Sequence, residues 1–204
     1  MAKVRFTKNE LKRQKDGLKR FSRYLPTLKL KKQQLQSEIM KIRRQEEEQR
    51  SAIRAFGERV RAWAGIYADT RVRIAEQVKV EQVSVGRGNI AGIDIPVFER
   101  IRFGPAEYDE RTTPLWVDAG REACEEMITL RAKAEVLRRQ REKLQEELRV
   151  TVQRVNLFEK VKIPETRENI RKINIYLGDL QTAAVVRGKI AKAKIEKKKA
   201  GAPR

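Results

Sequence analysis

One apolar repeat runs without a phase error through the first third of the chain. Steps of four and three residues from Leu11 to Ile74 meet apolar or aromatic side chains at most positions. A repeat of this period over about nine heptads is typical of a coiled-coil seam. As one helix, residues 8–76 would span about 100 Å. Three polar steps, Lys32, Glu46 and Gln49, are expected to fix the register of the seam.

A second arm repeats the pattern from Met127 to Phe158, and its phase then moves by one residue, from Ile163 to Ala184. Pro164 stands at the shift and Pro26 inside the first arm. Proline removes a backbone donor and crowds the preceding turn, so we expect a kink or break at both sites. Because each arm is the other's nearest partner, the sequence predicts an antiparallel two-helix coiled coil.

The middle of the chain has a different pattern. Two β-branched, partly alternating runs, 78–85 and 93–103, flank the glycine-rich stretch 86–92, which favours a hairpin with a turn or loop in that stretch. The predicted fold is therefore mainly α, a long coiled coil with a small β-hairpin head at its turn. The predicted segments are the N-terminal helix 1–77, the head 78–120 and the C-terminal helix with a basic tail 121–204.

Composition excludes most catalytic and metal-binding designs. The chain has no His and one Cys, so it holds no imidazole base or ligand, no zinc ribbon and no internal disulfide. Cys124 is interpreted as a small packing residue, and the stretch 86–92 lacks the Lys-Ser/Thr of a phosphate loop. We expect a non-catalytic protein with no metal and no cofactor.

The charge is large and uneven. Lys and Arg number 48 against 28 Asp and Glu, a net charge of +20. Residues 1–32 carry 12 basic and 2 acidic side chains, and residues 187–204 carry 8 and 1. The predicted hairpin of helices places these ends side by side, as a positive tip that seeks an acidic surface. With no apolar leader or span of about 20 residues, the expected location is the cytosol.

Two segments carry a resemblance to a known family. Thr7-Lys8-Asn9-Glu10-Leu11, with the leucine-spaced basic stretch that follows it, resembles the opening of the D subunits, the central-stalk rotor subunits of V/A-type rotary ATPases. Arg154-Val155-Asn156, Phe158-Glu159, Val161 and Ile163-Pro164 are similar to that family's R-V-N-x-L-E-x-V-x-I-P segment. Pro26, Phe158 in place of Leu and the stretch 165–169 depart from the family pattern.

The resemblance implies a shaft without chemistry of its own. It would enter the hexamer of catalytic A and B subunits and contact the small F subunit of the stalk and a membrane-ring adaptor subunit, peripheral to the membrane in the soluble ATPase sector. The residues expected to contact the hexamer are Lys3, Arg5, Lys8, Lys12, Arg13, Lys15, Lys19, Arg20, Arg187, Lys189, Lys192 and Lys194. Those expected to contact the F subunit are Arg59, Trp63, Tyr67, Leu130, Leu137 and Arg138.

The charge alone also permits a basic coiled-coil nucleic-acid-binding protein. Such proteins tend to carry base-stacking aromatic residues or a groove-reading motif within their basic stretches. The basic ends hold only Phe6, Phe21 and Tyr24, of which the last two fit the seam or its flank. The sequence therefore favours protein partners and no specific nucleic acid, and it shows no segment for direct insertion into a membrane.

Overall fold

Helices dominate the structure, which is a computed structural model describing residues 5–63, 65, 74–105, 113–114 and 116–200. Its elements are α1 (Lys8–Arg61), α2 (Ile74–Gln77), β1 (Val80–Ile90), β2 (Ile93–Phe103), α3 (Trp116–Asn156), a π-helical segment (Leu157–Lys162) and α4 (Ile163–Ala200). This confirms the predicted fold class. No helix in these ranges combines the length and apolarity needed to cross a membrane.

The chain forms two compact units, each built from pieces of both arms. The end unit contains residues 1–30 and 152–204, and the hairpin unit contains residues 31–151. The units therefore cut across the three segments expected from the sequence, whose boundaries stay a prediction.

In the end unit, α1 begins at a capped turn and runs antiparallel to the C-terminal arm. The Thr7 hydroxyl accepts a hydrogen bond from the Glu10 backbone N–H at 3.2 Å, so Thr7 is the N-cap. The rings of Phe6 and Tyr176 lie 5.2 Å apart, as do those of Phe21 and Phe158. These two pairs fix which turns of α1 face which turns of the other arm.

The one-residue phase shift in the second arm is absorbed by the π-helical segment. The N–H of Ile163 donates to the carbonyl of Phe158, five residues back, and the wider turn takes up one extra residue. Val155 before the segment and Ile163 after it are therefore both buried. The chain stays helical through Pro164 as α1 does through Pro26, so neither proline breaks its arm, and a kink at Pro164 stays a prediction. Bending at Pro26 stays a prediction.

The core of the hairpin unit joins both arms and the β-hairpin. Leu35, Ile39 and Ile42 of α1 pack with Leu144 of α3 and Ile95 of β2. Ile90 and Ile93, beside the hairpin turn, pack against the same cluster. The predicted β-hairpin head between the arms is therefore present, and its closed end packs along the coiled coil because its isoleucines need an apolar partner.

Polar contacts fix the hairpin to α3. The Gln140 amide donates to the Pro96 carbonyl at 2.6 Å, and the Lys143 ammonium donates to the Asp94 carbonyl at 2.9 Å. The ammonium of Lys133 lies 5.7 Å from the centre of the Phe98 ring, within cation–π range. Strand β2 is thus the strand bound to the helix.

The hairpin turn is two residues long. Ala91 and Gly92 have φ of 53° and 80°, the backbone of a type I′ turn, and the Asn89 carboxamide oxygen accepts from the Gly92 N–H at 3.1 Å. Gly86 and Gly88 belong to β1, opposite Val97 and Ile95. The turn predicted within 86–92 is therefore confirmed at Ala91-Gly92, whereas residues 86–90 belong to β1 and form no loop.

A buried ion pair interrupts the apolar seam of the hairpin unit. The Arg141 Nε lies 2.9 and 3.0 Å from the two carboxylate oxygens of Glu46, and both side chains are largely buried. The Gln49 amide donates to the Leu130 carbonyl at 3.1 Å. Two of the polar steps noted in the sequence thus pair across the arms, and an unpaired buried charge would oppose any other register.

Removing one member of the Glu46–Arg141 pair should cost more than removing both. We expect Arg141→Leu to lower the free energy of unfolding by about 2–3 kcal/mol, because a buried carboxylate is left unpaired. Adding Glu46→Leu should recover most of the loss. Urea unfolding followed by circular dichroism measures both changes. The matched control is the exposed pair Glu47–Arg54 at 3.1 Å, whose removal should cost under about 1 kcal/mol. Equal losses at the two pairs would contradict the argument.

Two glycines should respond oppositely to substitution by alanine. A Cβ at Gly57 in α1 meets no atom within 4 Å, whereas a Cβ at Gly88 in β1 would lie 2.7 Å from the Val97 Cγ2. Gly57→Ala should therefore raise the free energy of unfolding by about 0.5–1 kcal/mol, and Gly88→Ala should lower it. Thermal unfolding of the two variants side by side is the measurement, and a gain at Gly88 would refute this account.

Candidate partner-binding surfaces

The expected hexamer-contact residues in α1 and just before it are all exposed. Lys8, Lys12, Lys15 and Lys19 follow helical spacing and share one flank of the seam. The remaining described members are Arg5, Arg13 and Arg20, and Lys3 lies outside the described residues. We call the seven described residues the basic N-terminal surface.

A polar groove lies beside the arginines of this surface. It encloses about 580 Å³ between the start of α1 and the start of α4, and its lining includes Arg5, Arg13, Arg20, Lys162, Glu10, Glu165 and Asn169. Both acids have partners of their own. Glu10 accepts from the Gln14 amide at 2.7 Å and lies 4.0 Å from Arg13, and Glu165 lies 3.5 Å from Lys162. The groove therefore keeps a positive excess.

Sequence reasoning missed the C-terminal half of this groove. Lys162, Glu165 and Asn169 come beside α1 only because the π-helical segment sets the phase of α4. The signal available in the sequence was the one-residue shift of the repeat, which marks the turn but does not say which side chains it rotates toward α1.

The four C-terminal members of the expected set lie apart from the N-terminal ones. Because Phe6 packs on Tyr176, α1 begins beside that residue, and Arg187 lies about 16 Å further along α4. Arg187, Lys189, Lys192 and Lys194 are all exposed there. The expectation that the two basic ends lie side by side is therefore wrong for the described residues, because Arg5 and the start of α1 lie near Tyr176 and the four C-terminal cations lie further along α4.

Residues 178–197 of α4, which we call the C-terminal extension, are exposed throughout. The expected seam positions Leu180 and Ala184 are exposed as well, so the seam ends at Leu177. Large apolar side chains are nevertheless frequent here: Leu180, Val185, Val186, Ile190 and Ile195 are 43–59% exposed. Helical spacing places them on several sides of the helix. The off-seam residues Val185, Val186 and Ile190 were the sequence signal of this surface, and it was missed.

The residues expected to contact the F subunit are not gathered into one exposed patch. Arg59 lies 3.8 Å from Glu126 and 5.1 Å from the centre of the Phe56 ring, and Trp63 is half-buried. Leu130 is half-buried in the seam, and Leu137 packs on the core cluster. Tyr67 lies outside the described residues. These residues stay a prediction as contacts.

Arg138, the last of these residues, already holds two carboxylates. Its guanidinium donates to Glu135 at 2.7 and 2.8 Å and to Glu142 at 2.7 Å. Arg139 also donates to Glu135, at 2.9 Å. These hydrogen bonds, that of Arg138 first, lower the pKa of Glu135 to about 2. A partner that uses Arg138 must therefore compete with its own helix.

The pKa of Glu135 offers a direct check. Its folded value lies below the ordinary 4.5, so its stabilising effect is present above pH 4.5 and is lost as the pH falls toward 2. Carboxyl ¹³C NMR should give a midpoint of about 2. Arg138→Ala should raise that midpoint, only in part because Arg139 remains, whereas Lys133→Ala should leave it unchanged. A midpoint of about 4 in the wild type would refute the pairing.

The single cysteine shows no sign of activation. Cys124 is half-buried in α3, and burial, with a smaller contribution from the Glu125 carboxylate, raises the pKa of its thiol. A thiol of this kind reacts slowly because little thiolate is present. This agrees with the packing role expected from the sequence.

Comparison with known proteins identifies the family. The model of the family of ATP synthase D subunits matches residues 10–193. Over 198 residues the chain is 46% identical to the D subunit of a V-type ATP synthase from Borreliella burgdorferi, covering 97% of this chain and 98% of the relative. It is 38% identical to the corresponding D subunit of Chlamydia caviae and 36% to that of Chlamydia pneumoniae, each over 200 residues, covering 97% of this chain and 96% and 95% of the relatives. The chain belongs to the family of ATP synthase D subunits.

Proposed function

We propose that this chain is the non-catalytic central rotor shaft of a V/A-type rotary ATPase. It couples ATP hydrolysis or synthesis in the A/B hexamer to ion translocation by the membrane ring, as a peripheral subunit on the cytoplasmic side. The observation that carries the proposal is the C-terminal extension, a helix with large apolar side chains exposed on several sides.

A helix that exposes large apolar side chains on several sides is unfavourable in water. Residues 178–197 have no packing partner among the described residues, and isolated helices of this length are marginal. Leu180 and Ile195 lie on the side that continues the seam, Val186 lies on the opposite side from Ile195, and Ile190 lies between the two sides. A flat partner covers one side of a helix. A partner that covers opposite sides together is a cavity, such as the centre of a ring of subunits.

The basic N-terminal surface suits acidic loops at the rim of such a cavity. Each exposed ion pair is worth only about 0–1 kcal/mol, so contacts of this kind attract the shaft without locking it in one orientation. Long-range attraction between unlike charges also speeds assembly. We infer that Arg5, Arg13 and Arg20, which line the polar groove, take part in this contact together with the lysines of the surface.

The contact with the F subunit is proposed along the hairpin unit. Arg59 and Trp63 near the end of α1 are the direct contacts, and Arg138 joins them by exchanging one of its carboxylate partners. Leu130 and Leu137 act from within, by holding the arms in register. The membrane-ring adaptor subunit is proposed as the third kind of partner.

The experiment is co-expression with candidate A, B and F subunits of the same genome, followed by native mass spectrometry at moderate salt with nuclease present. One copy of this chain per A/B hexamer is the expected result. Failure to bind the hexamer or the F subunit, with only nuclease-sensitive complexes surviving, would overturn the proposal in favour of a nucleic-acid-binding coiled coil.

A triple variant tests the surface that carries the proposal. Leu180→Gln, Val186→Gln and Ile190→Gln together should weaken hexamer binding at least about a hundredfold, because each apolar side chain that is buried contributes about 1.5–3 kcal/mol. The matched control changes Val80, Val83 and Val85 of β1, which are equally exposed, to Gln and should retain binding. Equal binding by both triple variants would show that the C-terminal extension does not enter the complex.

A further inference from the structure

We propose that Pro26 of α1 and the π-helical segment Leu157–Lys162 together form a hinge within the end unit. Where Pro26 lies beside the π-helical segment, both arms lose regular backbone hydrogen bonds while their side chains stay packed. The hinge lies between two stiffer stretches, residues 5–21 with 164–177 and residues 27–30 with 152–156. Neither Pro26 nor the π-helical segment alone makes a hinge; the hinge arises because the two lie opposite one another on neighbouring helices.

Two contacts place the features opposite one another. The ring of Phe21 lies 5.2 Å from the ring of Phe158, and the Lys29 ammonium lies 2.7 Å from the Glu159 carboxylate. Pro26 falls between Phe21 and Lys29 along α1. Both of their partners belong to the π-helical segment, so Pro26 lies at the level of that segment.

On the α1 side, one rung of the hydrogen-bond ladder is absent. Pro26 has no N–H, so the Ser22 carbonyl, four residues earlier, lacks its usual helical donor. The hydroxyl of Thr27 donates to the Tyr24 carbonyl at 2.8 Å, a side-chain bond of the kind that accompanies bent helices. The turn before Pro26 is therefore the weakest turn of this helix in the end unit.

On the other side, the ladder changes type and then loses a donor. The Ile163 N–H reaches back five residues to Phe158, and Pro164, which follows at once, donates nothing. The Thr166 hydroxyl donates to the Lys162 carbonyl at 2.6 Å, which supplements the backbone bonds there. The two helices are thus weakened over the same two turns.

Side-chain packing keeps the arms together at this level. Val155 and Ile163, at the two ends of the π-helical segment, are 4% and 9% exposed. The outer flanks are uncovered, since Tyr24, Leu157 and Val161 are 43–56% exposed. The Lys29–Glu159 pair is exposed as well, so it only weakly restrains bending of the two helices here. Bending here therefore strains few contacts.

Only the use of the hinge rests on the proposed function. In a shaft, it would let residues 5–21 and 164–177 follow the interior of the hexamer as the shaft turns, while the seam stays closed. The hinge itself is a property of the isolated chain, so its test fails or succeeds separately from any test of assembly.

Hydrogen exchange of the full chain, followed by mass spectrometry, is the first test. Backbone amides at residues 22–25 and 157–163 should exchange at least tenfold faster than those at 35–46 and 137–151. Pro26→Ala, which restores the missing donor, should raise protection at 22–26 at least tenfold. Equal protection of the hinge residues and of the two comparison stretches in the wild type would overturn the proposal.

A second variant removes the extra residue. Deleting Lys160, an exposed residue, and changing Pro164→Ala brings α4 into the phase of α3 and permits a continuous α-helix. Spin labels at Lys12→Cys and Gln153→Cys, in a Cys124→Ser background, should then give a narrower distance distribution than in the undeleted chain. Lys160→Ala is the matched control and should leave the width unchanged. An unchanged width in the deletion variant would also overturn the proposal, and if that variant fails to fold, the exchange test of Pro26→Ala still decides.

Discussion

The burial of one apolar stripe against another, antiparallel to it, is the constraint on which both units depend. Phe21 meets Phe158 in the end unit, and Leu35 meets Leu144 in the hairpin unit. The stripes fix which residues face each other, and the Glu46–Arg141 pair adds a strong penalty for any other register of the hairpin unit. The basic N-terminal surface lies beside the start of this packing in the end unit, and the C-terminal extension begins where it ends.

The β-hairpin is a part of that packing. Ile90, Ile93 and Ile95 extend the seam cluster sideways, and Gln140 and Lys143 bind the backbone of β2. A two-stranded sheet is marginal by itself in water, so the coiled coil supplies the apolar face that the hairpin needs. The hairpin in turn covers one side of the two helices, so the two sides of the hairpin unit differ, which two helices alone would not achieve.

Charge is used in two ways along the chain. In α3, Arg138 and Arg139 bind Glu135 on their own helix, so much of the charge there is neutralised locally. In the basic N-terminal surface, only Arg13 lies within 4.0 Å of a carboxylate of the described residues, that of Glu10. The +20 net charge is therefore concentrated where the chain has few acids, and that is where an acidic partner gains most.

The sequence by itself determined the fold class, the seam and the family. The 3.5-residue repeat requires a partner helix, and every described seam position of α1 is buried or half-buried, as that repeat predicts. The repeat also marked the one-residue shift near Pro164. It could not say how the shift is absorbed, because a break, a kink and a π-turn all preserve the same stripe.

Only the tertiary structure decided where the stripes stop and what lies beside them. The length of overlap follows from which turns pair, and the Phe6–Tyr176 contact leaves the C-terminal extension without a partner among the described residues. The hairpin lies along the arms because its buried face is complementary to Leu35, Ile39 and Leu144, residues remote in sequence. A periodic pattern reports which side of a helix is apolar, and it carries no information on which distant side chain will cover it.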